Sequence, residues 1–147
     1  MELTEIHLLA EKRKWQSRFE KAYNRYELRR SDEIFGERVR FFVAKENGKE
    51  LGFIRINNKT SFFKDKIEGK VWNAADAYVK PPYRGKGVLK KIIEEVVATH
   101  EVKMCCLVPE LFSAHSAYYK RLGFIKAVKG KDSGLIWLFH KDISHLA

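Results

Sequence analysis

The sequence has little of what builds a secreted or metal-bound scaffold. Two cysteines stand among 147 residues, and they are adjacent, Cys105 and Cys106. Adjacent thiols fit neither the spaced ligand pairs of a zinc site nor a distributed disulfide framework, so a reducing, cytoplasmic setting is expected. The five histidines, at 7, 100, 115, 140 and 145, form no ligand-spaced set, and no metal is expected. Apolar runs such as Met104–Val108 and Leu135–Phe139 are far too short to span a bilayer. Met1 to Trp15 is broken by Glu2, Glu5, Glu11 and three consecutive cations, so no signal peptide is expected there. Neither a G-x-x-x-x-G-K-[ST] phosphate loop nor a G-x-G-x-x-G fingerprint is present.

What is abundant is apolar and basic. Hydrophobic residues make up 45% and aromatics 13%, enough for one folded core over residues 1–147, so a single domain is expected. Lysine and arginine number 29 against 19 acids, a net charge of +10. That excess favours a polyanionic partner, whether phosphate groups, nucleic acid or an acidic substrate. The cations of 10–30, among them Lys12, Arg13, Lys14, Arg18, Lys21 and Arg25, read first as a solvated helix face.

The apolar pattern orders the elements. Glu5–Leu9 suits a short strand, and 10–30 carries a helical period through Trp15, Phe19, Ala22, Tyr23 and Tyr26. Ser31–Glu37 reads as a connection with one helical turn. Arg40–Lys45 and Leu51–Ile56 flank Glu46-Asn47-Gly48, a hairpin signal. After the polar Asn57–Lys70 loop comes a strand over Val71–Val79, stopped by Pro81-Pro82. Lys86–His100 is the clearest helix, with Val88, Leu89, Ile92, Ile93, Val96 and Val97 on one side. Met104–Val108 suits a buried strand, Ser113–Leu122 a short helix stopped by Gly123, and Leu135–His140 a closing strand. The fold class expected is α+β.

Chemistry concentrates in Val79-Lys80-Pro81-Pro82-Tyr83-Arg84-Gly85-Lys86-Gly87-Val88-Leu89-Lys90. A glycine-rich turn there joins a strand to a helix N-terminus, where free N–H groups and the positive end of the helix dipole suit an anion. Arg84, Lys86 and Lys90 add charge. Glycine at such a corner also serves simple chain reversal, but a second segment, Ala114-His115-Ser116-Ala117-Tyr118-Tyr119-Lys120-Arg121-Leu122-Gly123-Phe124, follows one strand later.

Together the two segments resemble the motifs of the GCN5-related N-acetyltransferase (GNAT) superfamily. Arg84, Gly87 and Leu89 resemble its R-x-x-G-x-G/A loop, and Tyr118, Tyr119, Arg121, Gly123 and Phe124 its F-Y-x-K-x-G-F helix. The resemblance implies a central, mostly antiparallel mixed sheet, splayed at the cofactor site and flanked by helices. It implies acetyl-CoA as the acetyl donor, held by main-chain groups of Ala77, Tyr78 and Val79 along the pantetheine. Amides of Gly85, Lys86, Gly87, Val88, Leu89 and Lys90 would hold the pyrophosphate, with Arg84 beside them. Tyr119 aligns with the tyrosine that often protonates the departing thiolate; Tyr118 is expected in the core.

Acyl transfer to an amine asks for a proton acceptor, an N–H donor to the oxyanion and an acid for the thiolate. Asp76 is the only acid between Val71 and Val79; Asn73 occupies a place where some members carry glutamate and could order a water. The sequence departs from the pattern at Leu89, where a small residue is usual, and at Phe112, where many members place asparagine. The function expected is direct acetyl transfer to a primary amine on a small molecule, a peptide or an RNA-bound group such as aminoacyl-tRNA. The alternative is a nucleic-acid-binding module of the same fold. A second copy of the chain is an open alternative as partner; no membrane partner is expected.

Overall fold

The computed structural model describes residues 1–24, 34–109, 116–129 and 135–140. Seven strands and three helices fall into two compact units. The first comprises Met1–Asn57 and Ala75–Ile92, the second Asn58–Ala74 and the described residues from Ile93 onward. The boundary cuts through two strands and one helix rather than a linker.

In the first unit, β1 (Glu2–Ile6) pairs antiparallel with β2 (Val39–Glu46), which pairs antiparallel with β3 (Lys49–Asn58). The end of β4 (Val71–Val79) lies beside β3. Asn47 and Gly48 form the two-residue hairpin loop with φ of 51° and 77°, the left-handed pair that matches strand twist. Glu50 stands opposite Lys45 and Gly52 opposite Ala44, so Leu51 is an extra residue in β3.

Helix α1 (Leu9–Tyr23) buries Trp15, Gln16 and Phe19. The helix is set on the sheet by stacking: the Trp15 and Phe53 rings lie 5.5 Å apart, and Phe41 stacks on Phe53 at 5.9 Å. Ile6, Ile34, Val39 and Val43 complete this core. Fully burying each such side chain is worth roughly 1.5–3 kcal/mol. Asn24, at φ 52°, closes the helix by donating its N–H to the Glu20 carbonyl. The helix ends at Tyr23, and residues 25–33, with Tyr26 and the start of the expected Ser31–Glu37 connection, lie outside the described residues. The first strand is also shifted, to Glu2–Ile6. Leu8 and Leu9, expected within it, are exposed at the helix start, and the partners of β1 run only from Lys45 to Phe41.

In the second unit, β4 pairs in parallel with β5 (Lys103–Pro109), from Val71 opposite Lys103 to Asn73 opposite Cys105. Strand β5 pairs antiparallel with β7 (Leu135–His140), which pairs antiparallel with β6 (Phe124–Lys129). Helix α2 (Val88–His100) begins in the first unit and continues into the second, where Ile93 and Val96 are buried. The loop before β4 is tied down by Phe63 and Ile67, both buried, and by Lys59 N–H donating to the Val71 carbonyl. No helix of the described residues is long and apolar enough to cross a membrane.

Candidate functional site

The end of β4 runs directly into the glycine turn and carries a distinctive backbone geometry. Lys80 N–H donates to the Leu51 carbonyl, and the Tyr78 carbonyl lies so close to Gly52 that a Cβ there would approach it to 2.5 Å. Tyr78 and Lys80 thus turn their main-chain groups toward β3, and alternation turns those of Ala77 and Val79 to the opposite edge. One of these is engaged: Arg84 Nε donates to the Val79 carbonyl at 2.8 Å. The Arg84 guanidinium also lies 5.3 Å from the Tyr78 ring centroid. Arg84 thus braces the turn it begins, alongside any charge it lends a ligand.

Pro81–Tyr83 forms a 3-10 turn, which β4 cannot extend through because proline supplies no ladder donor. Gly85 and Gly87 then adopt φ of 75° and 73°. Nothing lies within 4 Å of a Cβ at either position, and both glycines are exposed, with Lys86 between them. The open space is consistent with an approaching phosphate. Lys91 N–H donates to the Gly87 carbonyl as the first intrahelical bond, so the N–H groups of Val88, Leu89 and Lys90 precede any internal acceptor. Val88 turns inward and is buried, Leu89 is half-buried and Lys90 exposed. A partly inward Leu89 leaves these backbone donors in place. The residues present therefore fit a pyrophosphate.

Beneath the same strand lies a buried polar cluster. Asp76 is 6% exposed and Arg55, on β3, is 1% exposed. Arg55 Nη2 donates to Asp76 Oδ2 at 2.5 Å, and Gln16 Nε2 of α1 donates to the same oxygen at 2.9 Å. Arg55 Nη1 also reaches Asn57 Oδ1 at 3.1 Å. Asp76 and Tyr78 face the same side, that of α1, as strand alternation requires. The carboxylate thus links three elements in addition to any part in proton transfer.

Asn73 and Tyr119 belong to the second unit and Asp76 to the first. Asn73 is buried, and its Oδ1 has no hydrogen-bond partner among the described residues. Tyr119 is half-buried on α3 (Ser116–Arg121), its ring 5.4 Å from that of Tyr118. Tyr118, expected in the core, is instead 45% exposed. Ala114 and Phe112 lie outside the described residues. Cys105 and Cys106 are free, buried thiols; burial pushes both up, Cys106 to about 12. Such thiols are protonated at neutral pH and are poor nucleophiles.

Sequence reasoning missed Arg55 and Gln16. Both left a signal: Arg55 interrupts the apolar run Phe53–Ile56, and Gln16 sits between the buried Trp15 and Phe19. The reading of the α1 cations as solvated is also corrected in part, since Arg18 is half-buried against Trp15, its guanidinium 4.4 Å from the ring centroid.

The family follows from the sequence: residues 37–126, more than half of the chain, match the acetyltransferase (GNAT) domain, and the chain belongs to that family. The match includes β4 and the glycine turn. No curated protein matches the chain. Among solved structures, Tetrahymena GCN5 is similar at a TM-score of 0.64 and 10% identity, over 96% of this chain and 97% of that one. The ribosomal-protein-alanine N-acetyltransferase of Brucella melitensis is similar at 0.60 and 16% identity, over 90% and 98%. The PaiA N-acetyltransferase of Thermoplasma acidophilum, solved with coenzyme A, is similar at 0.56 and 16%, over 96% and 99%. These likenesses establish the shared α+β fold.

Proposed function

We propose that this chain transfers the acetyl group of acetyl-CoA to a primary amine by direct attack in a ternary complex. The observation that carries the reading is the pair of exposed, positive-φ glycines, Gly85 and Gly87, opening onto α2 in a chain of the GNAT family. Names among the similar folds, a ribosomal-protein-alanine N-acetyltransferase and an N-acetyltransferase solved with coenzyme A, support an amine acceptor and this donor.

When bound, acetyl-CoA supplies an acetyl group activated as a thioester. The chain's own contribution is binding, orientation and proton handling. Amides of Gly85 to Lys90 hold the pyrophosphate, helped by the dipole of α2 and by Lys86 and Lys90. Main-chain groups of Ala77 and the Val79 N–H, on the edge of β4 turned away from β3, hold the pantetheine amides and the thioester carbonyl. Tyr119, assigned from the motif in its helix, protonates the departing thiolate. The amine proton passes either to Asp76 or to a water ordered by Asn73 Oδ1, whose buried oxygen accepts from no donor among the described residues.

The test is acetyl-CoA binding followed by turnover. Acetyl-CoA should raise the melting temperature, and mass detection should find acetylated product in a panel of amines, polyamines, peptides and aminoacyl-tRNA. A melting temperature indifferent to acetyl-CoA overturns the reading.

A further inference from the structure

Trp15 is 1% exposed, yet two cations address its ring. The Arg18 guanidinium lies 4.4 Å from the centroid and Lys80 Nζ lies 5.6 Å from it. The ring quadrupole offsets part of the cost of half-burying a guanidinium, but it does not satisfy the N–H donors. Arg18 Nη1 is buried and has no hydrogen-bond partner. The other cations of this unit with a carboxylate nearby are accounted for: Lys14 pairs with Glu50, Arg40 with Glu5 and Arg55 with Asp76. Among the described residues, no carboxylate lies within ion-pair distance of Arg18 or Lys80.

Two like charges gathered on one buried ring, with an orphaned donor and no counter-ion, make an arrangement that an anion would complete. Arg18 offers a planar fork suited to a carboxylate or phosphate, and Lys80 a second point charge. Their place fits a substrate. Lys80 directly follows Val79, its backbone is fixed by the bond to Leu51, and α1 holds Arg18 on the Trp15 side of the sheet. The glycine turn carries its own exposed cations, Lys86 and Lys90, for the donor's phosphates.

We propose that Arg18 and Lys80 form an anion-recognition subsite for the acceptor, so that the amine this chain acetylates also carries a carboxylate or a phosphate. The inference rests on the acetyl-transfer reading. The same chemistry could be met by a phosphate of the donor, and the experiment separates the two sources.

In a Trp72→Phe/Trp137→Phe background, Trp15 is the single tryptophan and reports on its own neighbourhood. Succinate and inorganic phosphate, titrated at constant ionic strength, should change its fluorescence saturably. Arg18→Gln should weaken that response at least about tenfold, the loss of one charge-assisted bond. Arg18→Lys keeps a cation on the ring and should retain part of the response, which guards against simple loss of packing. Acetyl-CoA should stabilise Arg18→Gln as much as the parent. In turnover, Arg18→Gln should raise KM for amines bearing an acidic group and leave KM for neutral amines unchanged.

A flat anion titration in the parent overturns the subsite, as does a response that Arg18→Gln leaves intact. An acetyl-CoA affinity that falls about tenfold in Arg18→Gln assigns the pair to the donor and overturns the acceptor role. Failure of acetyl transfer itself is read separately, from a melting temperature that acetyl-CoA does not move in the parent.

Discussion

Arg55 on β3 and Asp76 on β4 form a buried ion pair, Nη2 to Oδ2, with Gln16 of α1 donating to the same carboxylate oxygen. The pair ties β4, whose edge is proposed to hold the pantetheine, to β3, and Gln16 ties the same carboxylate to α1. Buried charges of this kind add little net stability beside an apolar replacement, yet removing one partner strands the other.

Asp76→Asn and Arg55→Met should therefore each cost about 3–5 kcal/mol in chemical denaturation. The double variant Arg55→Met/Asp76→Leu should recover much of that loss, because no unpaired charge remains. Equal destabilisation in the double variant would contradict the pairing argument. Turnover divides the two routes for the amine proton. If Asp76 takes it, Asp76→Asn depresses kcat most at low pH; if a water at Asn73 takes it, the pH profile keeps its shape and only its height changes.

Gly87→Trp should lower acetyl-CoA affinity at least about tenfold. The backbone there sits at φ 73°, so any side chain adds about 1–2 kcal/mol of strain, and the open space around it would be filled by the indole. Gly87→Ala separates strain from bulk: it should show the stability loss with a smaller loss of binding. Calorimetric titration with acetyl-CoA, beside thermal melts, measures both. Retained affinity in Gly87→Trp would remove the turn from the donor site.

Much of this was legible in the sequence because the responsible interactions are local. The hairpin follows from Asn47-Gly48, whose left-handed geometry few other residue pairs tolerate. Strand β4 ends at Val79 because Pro81 and Pro82 follow, and α2 follows from an apolar stripe of helical period. The long-range pairing was not legible. Arg55 and Asp76 lie 21 residues apart and Gln16 and Asp76 lie 60 apart, so only the sheet brings them together. Arg18 shows the same limit, since composition places it among solvated cations while the Trp15 ring draws it in. Tyr118 shows the reverse: expected in the core, its ring is 45% exposed on α3.

Tyr119→Phe removes one hydroxyl from a half-buried ring and should leave acetyl-CoA binding and stability nearly unchanged. As general acid, Tyr119 should contribute on the order of 100-fold to kcat, a loss seen in steady-state assays with any accepted amine. The loss should shrink with thiol leaving groups of lower pKa, which need protonation less. Unchanged kcat across pH would make Tyr119 a packing residue.

Cys106 ties stability to alkaline pH. Its thiol ordinarily titrates near 9.0, and burial raises it to about 12 in the folded chain. A raised pKa means the folded state holds its proton longer than the unfolded state. The stability this group contributes is therefore complete below about pH 9 and is lost as pH climbs toward 12, at up to about 1.4 kcal/mol per pH unit. Other groups titrate in that range, so the measurement is a difference: urea denaturation of the parent and of Cys106→Ala at pH 7, 9 and 10.5. The parent should lose more stability than the variant between pH 9 and 10.5, with both changing alike below pH 8. Iodoacetamide at pH 8 should leave the folded chain unmodified and label it in urea, because only the unfolded chain exposes the thiol and forms appreciable thiolate there. Rapid labelling of the folded chain would mean that β5 opens readily to solvent.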